Sequence, residues 1–260
     1  MSLGDHLREL RNRTLIAILA ILLGSIVGWV RWQEIYDALV APIAAVANEK
    51  KAAGAIVTTS FGNLTDSFTI LLVVGLFVGV VISSPVWLWE LWAFVLPGLT
   101  TREKRVSMAF FAAAVPLFLA GCALAFAVLP RAVQTLLSFT PAQGSNIIYA
   151  PDYLSFVLKF ILTFGIGFLL PVLLVGLNVA HVLPARVMRK GWRGAVFLCF
   201  LFTAVMTPDP SPWTMIVLAL PLVALFFLAV GISTLLDRRR AKRDPTAEWL
   251  DLPDDQASAL

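Results

Sequence analysis

Few residues in this 260-residue chain have the type and spacing for bond-making chemistry; what is present suits recognition instead. The only histidines are His6 and His181, and the only cysteines are Cys122 and Cys199. There is no His-Glu-x-x-His, no Gly-x-Ser-x-Gly and no paired-cysteine spacing, so neither a metal centre nor a nucleophilic triad has its parts. No glycine loop follows a strand-like run to cradle a phosphate. Both cysteines sit inside apolar runs and read as packed thiols, which gives no disulfide framework. No catalytic residue, metal or cofactor is therefore expected, and an enzyme is not indicated. The chemistry left is that of carboxylates set among cations: Glu9 between Arg8 and Arg13, and Glu103 between Arg102 and Lys104. A fixed carboxylate matches the planar fork of a guanidinium better than it matches an ammonium. On spacing alone, Glu9 is equally a solvated i,i+4 partner of Arg13, and Glu103 a charge-balancing surface group.

Polar residues within apolar runs are the second source of chemistry. Lys159 lies inside such a run, from which its long stem can snorkel to the headgroups. Asp66 falls near the outer end of another run, and Asn178 near the inner end of a third, where it can bond a neighbouring helix. None resembles a midplane proton relay, which weakens an ion-coupled transporter. Glycines at 24, 28, 75, 79, 165 and 167 fit close helix packing, since small residues let membrane helices approach.

The elements that must position these groups follow from composition. Residues are 59% hydrophobic and 14% charged, with eight Trp and eighteen Phe, and the mean hydropathy is +0.87. A soluble domain has about 25% charged residues, so the solvent for most of this surface is lipid. A hydrocarbon core of ~30 Å needs about 20 apolar residues per helix. Spans are read at 14–32, 65–89, 106–129, 153–179, 194–206 and 213–236, in an all-α fold with a single membrane domain over 1–236. The fifth is short, and either sits in thinned lipid or is re-entrant. Residues 237–260 read as a disordered tail.

Fifteen of the 20 cations cluster at the N-terminus, at 102–105, at 186–193 and at 238–243, and five fall on the opposite face. The positive-inside rule then places both termini in the cytoplasm. A net charge of +4 reads as this loop bias and not as a nucleic-acid footprint. The first residues have Leu3, Leu7, Leu10 and Thr14 on one stripe, a short amphipathic helix expected to lie on the membrane surface and lead into span one. The outer loops, 33–64 and 130–152, are long, and Ile35 to Val40 suits a short interfacial helix.

At this point two segments acquire a further meaning. His6-Leu7-Arg8-Glu9-Leu10-Arg11-Asn12-Arg13, followed at once by a span, resembles the opening of the TatC family, the multi-spanning receptor subunit of the twin-arginine protein translocase. Ser84 to Leu99, with its Pro85, Trp92, Phe94 and Pro97, continuing to Glu103-Lys104-Arg105, is similar to that family's first cytoplasmic loop. Ala41-Pro42, Tyr153-Leu154-Ser155-Phe156, Phe164-Gly165 with Pro171, and Thr207-Pro208 extend the resemblance along essentially the whole chain.

The resemblance implies a cup-shaped, six-span receptor in the bacterial cytoplasmic (inner) membrane that binds twin-arginine signal peptides of folded cargo. It implies single-span partners of the TatA and TatB type, leaves self-association open, and draws transport energy from the proton-motive force. Glu9 and Glu103 are the implied readers of the two arginines, with Arg11, Phe94 and Pro42 as supporting positions. Glu90 stands where the family commonly has Gln, and adds a carboxylate beside that site. Leu169 stands where many members carry a Glu that contacts partner helices, so no acid can do so here. Asp209 is displaced by one position from the family's usual acid, and no role carries over to it. An ion-coupled small-solute secondary transporter also fits six spans, but requires a midplane polar site and internal symmetry that are not evident.

The cation asymmetry makes a direct prediction. In a background lacking Cys122 and Cys199, a single cysteine at position 103 should label from the cytoplasmic side and one within 57–63 from the outside; outward labelling at 103 would overturn the orientation.

Overall fold

The computed structural model describes residues 3–52, 57–95, 101–139, 146–180, 182–207 and 212–241. The chain opens with α1, Leu3–Val30, 28 residues without a break. At 1.5 Å per residue this is about 42 Å, longer than the hydrocarbon alone requires. The amphipathic first turns therefore run straight on into the span and do not form a separate surface helix. No proline or glycine interrupts residues 5–23, so nothing in the sequence stops the helix between them. Only Arg31 separates α1 from α2, Trp32–Ala52, whose 21 residues far exceed the short helix expected at 35–40. Pro42 is inside α2.

The expected span 65–89 is broken. It becomes α3, Asp66–Ile82, and α4, Ser84–Val95, bent by 62° at the junction. Pro85 has no N–H to give the carbonyl of Val81, so the ladder ends there. Asp66 opens α3, and its carboxylate accepts the backbone N–H of Gly62 and of Asn63, each at 2.8 Å. The next helix, α5, runs Thr101–Ser138 and carries Pro116 and Pro130 within it. It extends nine residues beyond the end expected at 129, into the supposed outer loop. Span four divides into α6, Ala150–Gly167, and α7, Leu170–Val179. Here Pro171 denies a donor to the carbonyl of Gly167, the same device as Pro85.

A short α8, Ala185–Lys190, leads to α9, Trp192–Met206, and α10, Pro212–Ala241. Helix α10 continues five residues into the stretch expected to be tail. Asp237 explains this: its carboxylate accepts from Asn178 Nδ2 at 3.0 Å and from the backbone N–H of Ala185 at 2.9 Å. It thereby ties α10 to α7 and α8. Two strands were not anticipated in an all-α chain: β1, Val57–Ser60, and β2, Asn146–Tyr149, pair in parallel with Val57 opposite Asn146. At four residues each they are too short to show alternation, and they join the two long outer loops.

Phe118, Phe164, Leu129, Leu154, Leu218 and Val74 are the largest fully buried apolar side chains, contributed by α3, α5, α6 and α10. Outside that core the helices remain apolar: Leu19, Leu23 and Val30 of α1 are more than half exposed. Among the described residues, four helical stretches are long and apolar enough to cross a membrane, or five if the bent pair α3–α4 counts as one span. The 15-residue α9 is an additional short apolar helix. Helices α1 and α3 meet closely through glycines. A Cβ on Gly28 would lie 2.8 Å from the Cα of Gly75, and one on Gly79 would collide with the Oγ of Ser25 and the carbonyl of Ile21.

Gly79→Ala should therefore destabilise by ~1–3 kcal/mol, the usual cost of overpacking. Gly231→Ala on α10, where nothing lies within 4 Å, should be neutral or stabilising. Thermal unfolding in detergent measures both, and equal effects would count against close contact of α1 with α3.

Candidate recognition site between α1 and α4

The bend after Ile82 lays α4 beside the start of α1. Ser83 closes α3 by donating its N–H to the carbonyl of Gly79 at 2.9 Å, and its own carbonyl accepts from Val86 at 2.8 Å. The indole N–H of Trp87 reaches back to the carbonyl of Val80 at 2.8 Å, stitching the two helices at the corner. Trp87 also meets Phe118 edge-on, with ring centroids 5.4 Å apart. Farther along α4, Trp92 is buried and its ring lies on Gly176 of α7, where a methyl group would collide. These anchors hold α4 on one side, leaving Glu90 and Phe94, spaced i,i+4, to face α1.

On α1, His6, Glu9 and Arg13 stand at i, i+3 and i+7, on one helical face. His6 stacks on Phe94 with centroids 4.7 Å apart and ring planes at 19°. Arg13 donates through Nε and Nη2 to Glu9 Oε1 at 3.0 and 2.8 Å, and through Nη1 to Glu90 Oε2 at 3.0 Å. Among the described residues, Glu9 Oε2 and Glu90 Oε1 accept no hydrogen bond. The side chains of Arg13, Glu9 and Glu90 are 27%, 25% and 15% exposed, so water screens the network only in part.

This cluster lines an open cleft of ≈ 430 Å³ together with Arg8, Asn12 and Ile16. An apolar groove of ≈ 300 Å³ adjoins it, formed by Leu10, Ala17, Ile18, Ile21, Trp87, Leu91 and Phe94. Arg13 and Glu90 belong to both, so the charged groups stand where the groove opens into the cleft.

Of the residues singled out in the sequence, Glu9, Glu90 and Phe94 come together here. Arg11 does not: it is exposed on another face of α1 and reaches only Asn12 at 3.5 Å. Glu103 falls in the first turn of α5, but its side chain, like Pro97 and Asp209, lies outside the described residues. Pro42 is buried in α2, beside Leu39, whose carbonyl accepts the Tyr153 hydroxyl at 3.1 Å. Pro85 and Trp92 set the course of α4. Leu169 is buried at 6% exposure, at the break between α6 and α7, so it packs inward. Sequence reasoning missed the reach of Arg13 to Glu90 and the stacking of His6 on Phe94. The i,i+4 spacing of Glu90 and Phe94 was the available signal, but it does not show which helix they face. Among the described residues, no group of three or more His, Cys, Asp or Glu could hold a metal ion.

A set of apolar, membrane-compatible helices with a charged cluster between two of them defines a multi-pass membrane protein. The sequence matches the family model for the Sec-independent protein translocase protein (TatC) over residues 5–221. It is 42% identical to the TatC of Xylanimonas cellulosilytica over 95% of this chain and 88% of that protein. Against the TatC of Aquifex aeolicus it is 32% identical, over 92% of this chain and 98% of the relative. A solved structure described as a twin arginine translocase receptor, TatC, superposes with a TM-score of 0.70 at 33% identity, covering 88% of this chain and 98% of that one. The chain belongs to the TatC family. It is a component of a protein translocase and not an enzyme.

Proposed function

We propose that this chain is the receptor and core subunit of a twin-arginine translocase, which binds twin-arginine signal peptides and helps export folded proteins using the proton-motive force. In this reading it crosses the bacterial cytoplasmic membrane six times, α9 included, with both termini inside and one membrane domain ahead of a cytoplasmic tail. Its partners are single-span proteins of the TatA and TatB type. Glu9 and Glu103 read the arginines, Glu90 and Phe94 complete the site, and Arg11 has a supporting role from outside the cleft. The observation that carries this reading is the convergence of Glu9 and Glu90 from two helices, each with one carboxylate oxygen unengaged among the described residues, at the mouth of an apolar groove. Carboxylate oxygens suit a guanidinium, and the groove suits the apolar stretch of a signal peptide. A small-solute transporter is less well supported, because Lys159 is exposed on α6 and does not line a buried substrate site.

Glu9→Gln and Glu103→Gln should each weaken a twin-arginine peptide by about 1–3 kcal/mol, the loss for a charged hydrogen-bond partner, with little effect on folding. The double variant should depart from the sum of the two, since residues sharing one ligand are not additive. The measurement is a peptide titration on correctly inserted protein, with a Lys-Lys peptide as control. Wild-type affinity in the double variant would remove both residues from the site.

A further inference from the structure

The ion network between α1 and α4 contains a charge imbalance. Glu9 alone would be neutralised by Arg13, which places two of its N–H groups on one Glu9 oxygen. A neutral pair offers an incoming cation no net attraction. Glu90 changes that balance: one guanidinium now serves two carboxylates, and the three side chains together carry a net charge of minus one. Among the described residues Arg8 also lines the cleft, but it is exposed, and water screens it more than the part-buried Glu90.

Glu90 is also the least exposed of the three, at 15%, which makes its charge the most strongly felt. It sits on the element that Trp92 and Trp87 fix in place, so its position does not depend on the peptide. We propose that Glu90 is the specificity-setting residue of this site. It offsets the resident Arg13, and so leaves a net negative charge and an unengaged oxygen for the guanidinium of an arginine-bearing signal peptide. This rests on the receptor reading above and deepens it: the site's preference for a cation is set by Glu90 acting against Arg13, and not by Glu9 alone. Arg13 is then an internal guanidinium that the site must outweigh before it can take a second one.

The test uses the full chain in lipid nanodiscs and two synthetic peptides, one carrying Arg-Arg and one Lys-Lys ahead of the same apolar stretch. Glu90→Gln keeps the size of the side chain and a carbonyl for Arg13, but removes the charge. It should bind the Arg-Arg peptide about tenfold more weakly than wild type, the scale of one charge-assisted contact. Its affinity should also depend less steeply on salt. The double variant Arg13→Gln with Glu90→Gln leaves Glu9 unneutralised and restores the charge of minus one. It should bind more tightly than Glu90→Gln alone, because two residues in direct contact are coupled and the loss from one is offset by removal of the other.

Several results would overturn the proposal. Unchanged affinity and salt dependence in Glu90→Gln, alongside a loss in Glu9→Gln, would reject it while leaving the receptor reading intact. A double variant weaker than Glu90→Gln would show that Arg13 supports binding instead of opposing it. Equal binding of the two peptides by the wild-type chain would reject the receptor reading, and this inference with it.

Discussion

The recognition face depends on one missing hydrogen-bond donor. Pro85 cannot serve the carbonyl of Val81, so α3 ends and the chain turns by 62°. In lipid an unpaired backbone carbonyl costs several kcal/mol, and two carbonyls next to the corner are engaged from beyond the bend or at it. The Ser83 N–H bonds Gly79, and the Trp87 indole bonds Val80. Glu90 and Phe94 lie beyond the corner, level with Arg13 and His6 at the start of α1. The bend lays them against it, and an apolar span is thereby converted into the wall of a charged cleft.

The bend alone would not suffice, because α1 must also be held close. The glycines at 28 and 79 remove the side chains that would separate α1 from α3, which brings α1 within reach of the helix that follows the corner. Tight packing at the glycines and looser, polar contact at the cleft are thus consecutive parts of one helix–helix approach. Helix α1 is otherwise largely uncovered, with only 11% of its apolar window buried. Its position is set by these contacts on one face, and its opposite face is left to lipid.

Much of this was legible in the residues. The apolar runs located the helices because lipid demands about 20 such residues in succession, a coarse signal that survives errors at the ends. The ends themselves were not legible. Span four remains one membrane-compatible stretch, Ala150–Val179, with only a turn before Pro171, and α5 outran its expected limit because Pro130 did not stop it. Prolines follow a helix break at 85 and 171 but lie inside a continuous helix at 116 and 130, so a proline alone does not locate a break. The four-residue strands depend on pairing between loops far apart in sequence, which no local period reports. At the site, Glu9 and Arg13 were legible as a pair, since both lie on one helix. The third member, Glu90, was visible as an added carboxylate, but its contact with Arg13 needed the corner at Ser83.

The strength of recognition follows from the same geometry. Two charge-assisted contacts supply about 3–6 kcal/mol, which corresponds to affinities from millimolar to tens of micromolar. A receptor that relied on them alone would discriminate arginine from lysine while holding its cargo poorly. The groove that adjoins the cleft is where the remainder can come from, since each 100 Å² of apolar surface withdrawn from water is worth about 2.5 kcal/mol before ordering costs. The two contributions differ in kind. Charge geometry selects between peptides that share an apolar stretch, whereas apolar burial strengthens all of them alike. Because Arg13 and Glu90 border both the cleft and the groove, a peptide seated in the groove as proposed would bring its preceding cations to the carboxylates. Under that proposal selection and affinity would be exercised on one ligand at one place, with neither required to do the work of the other.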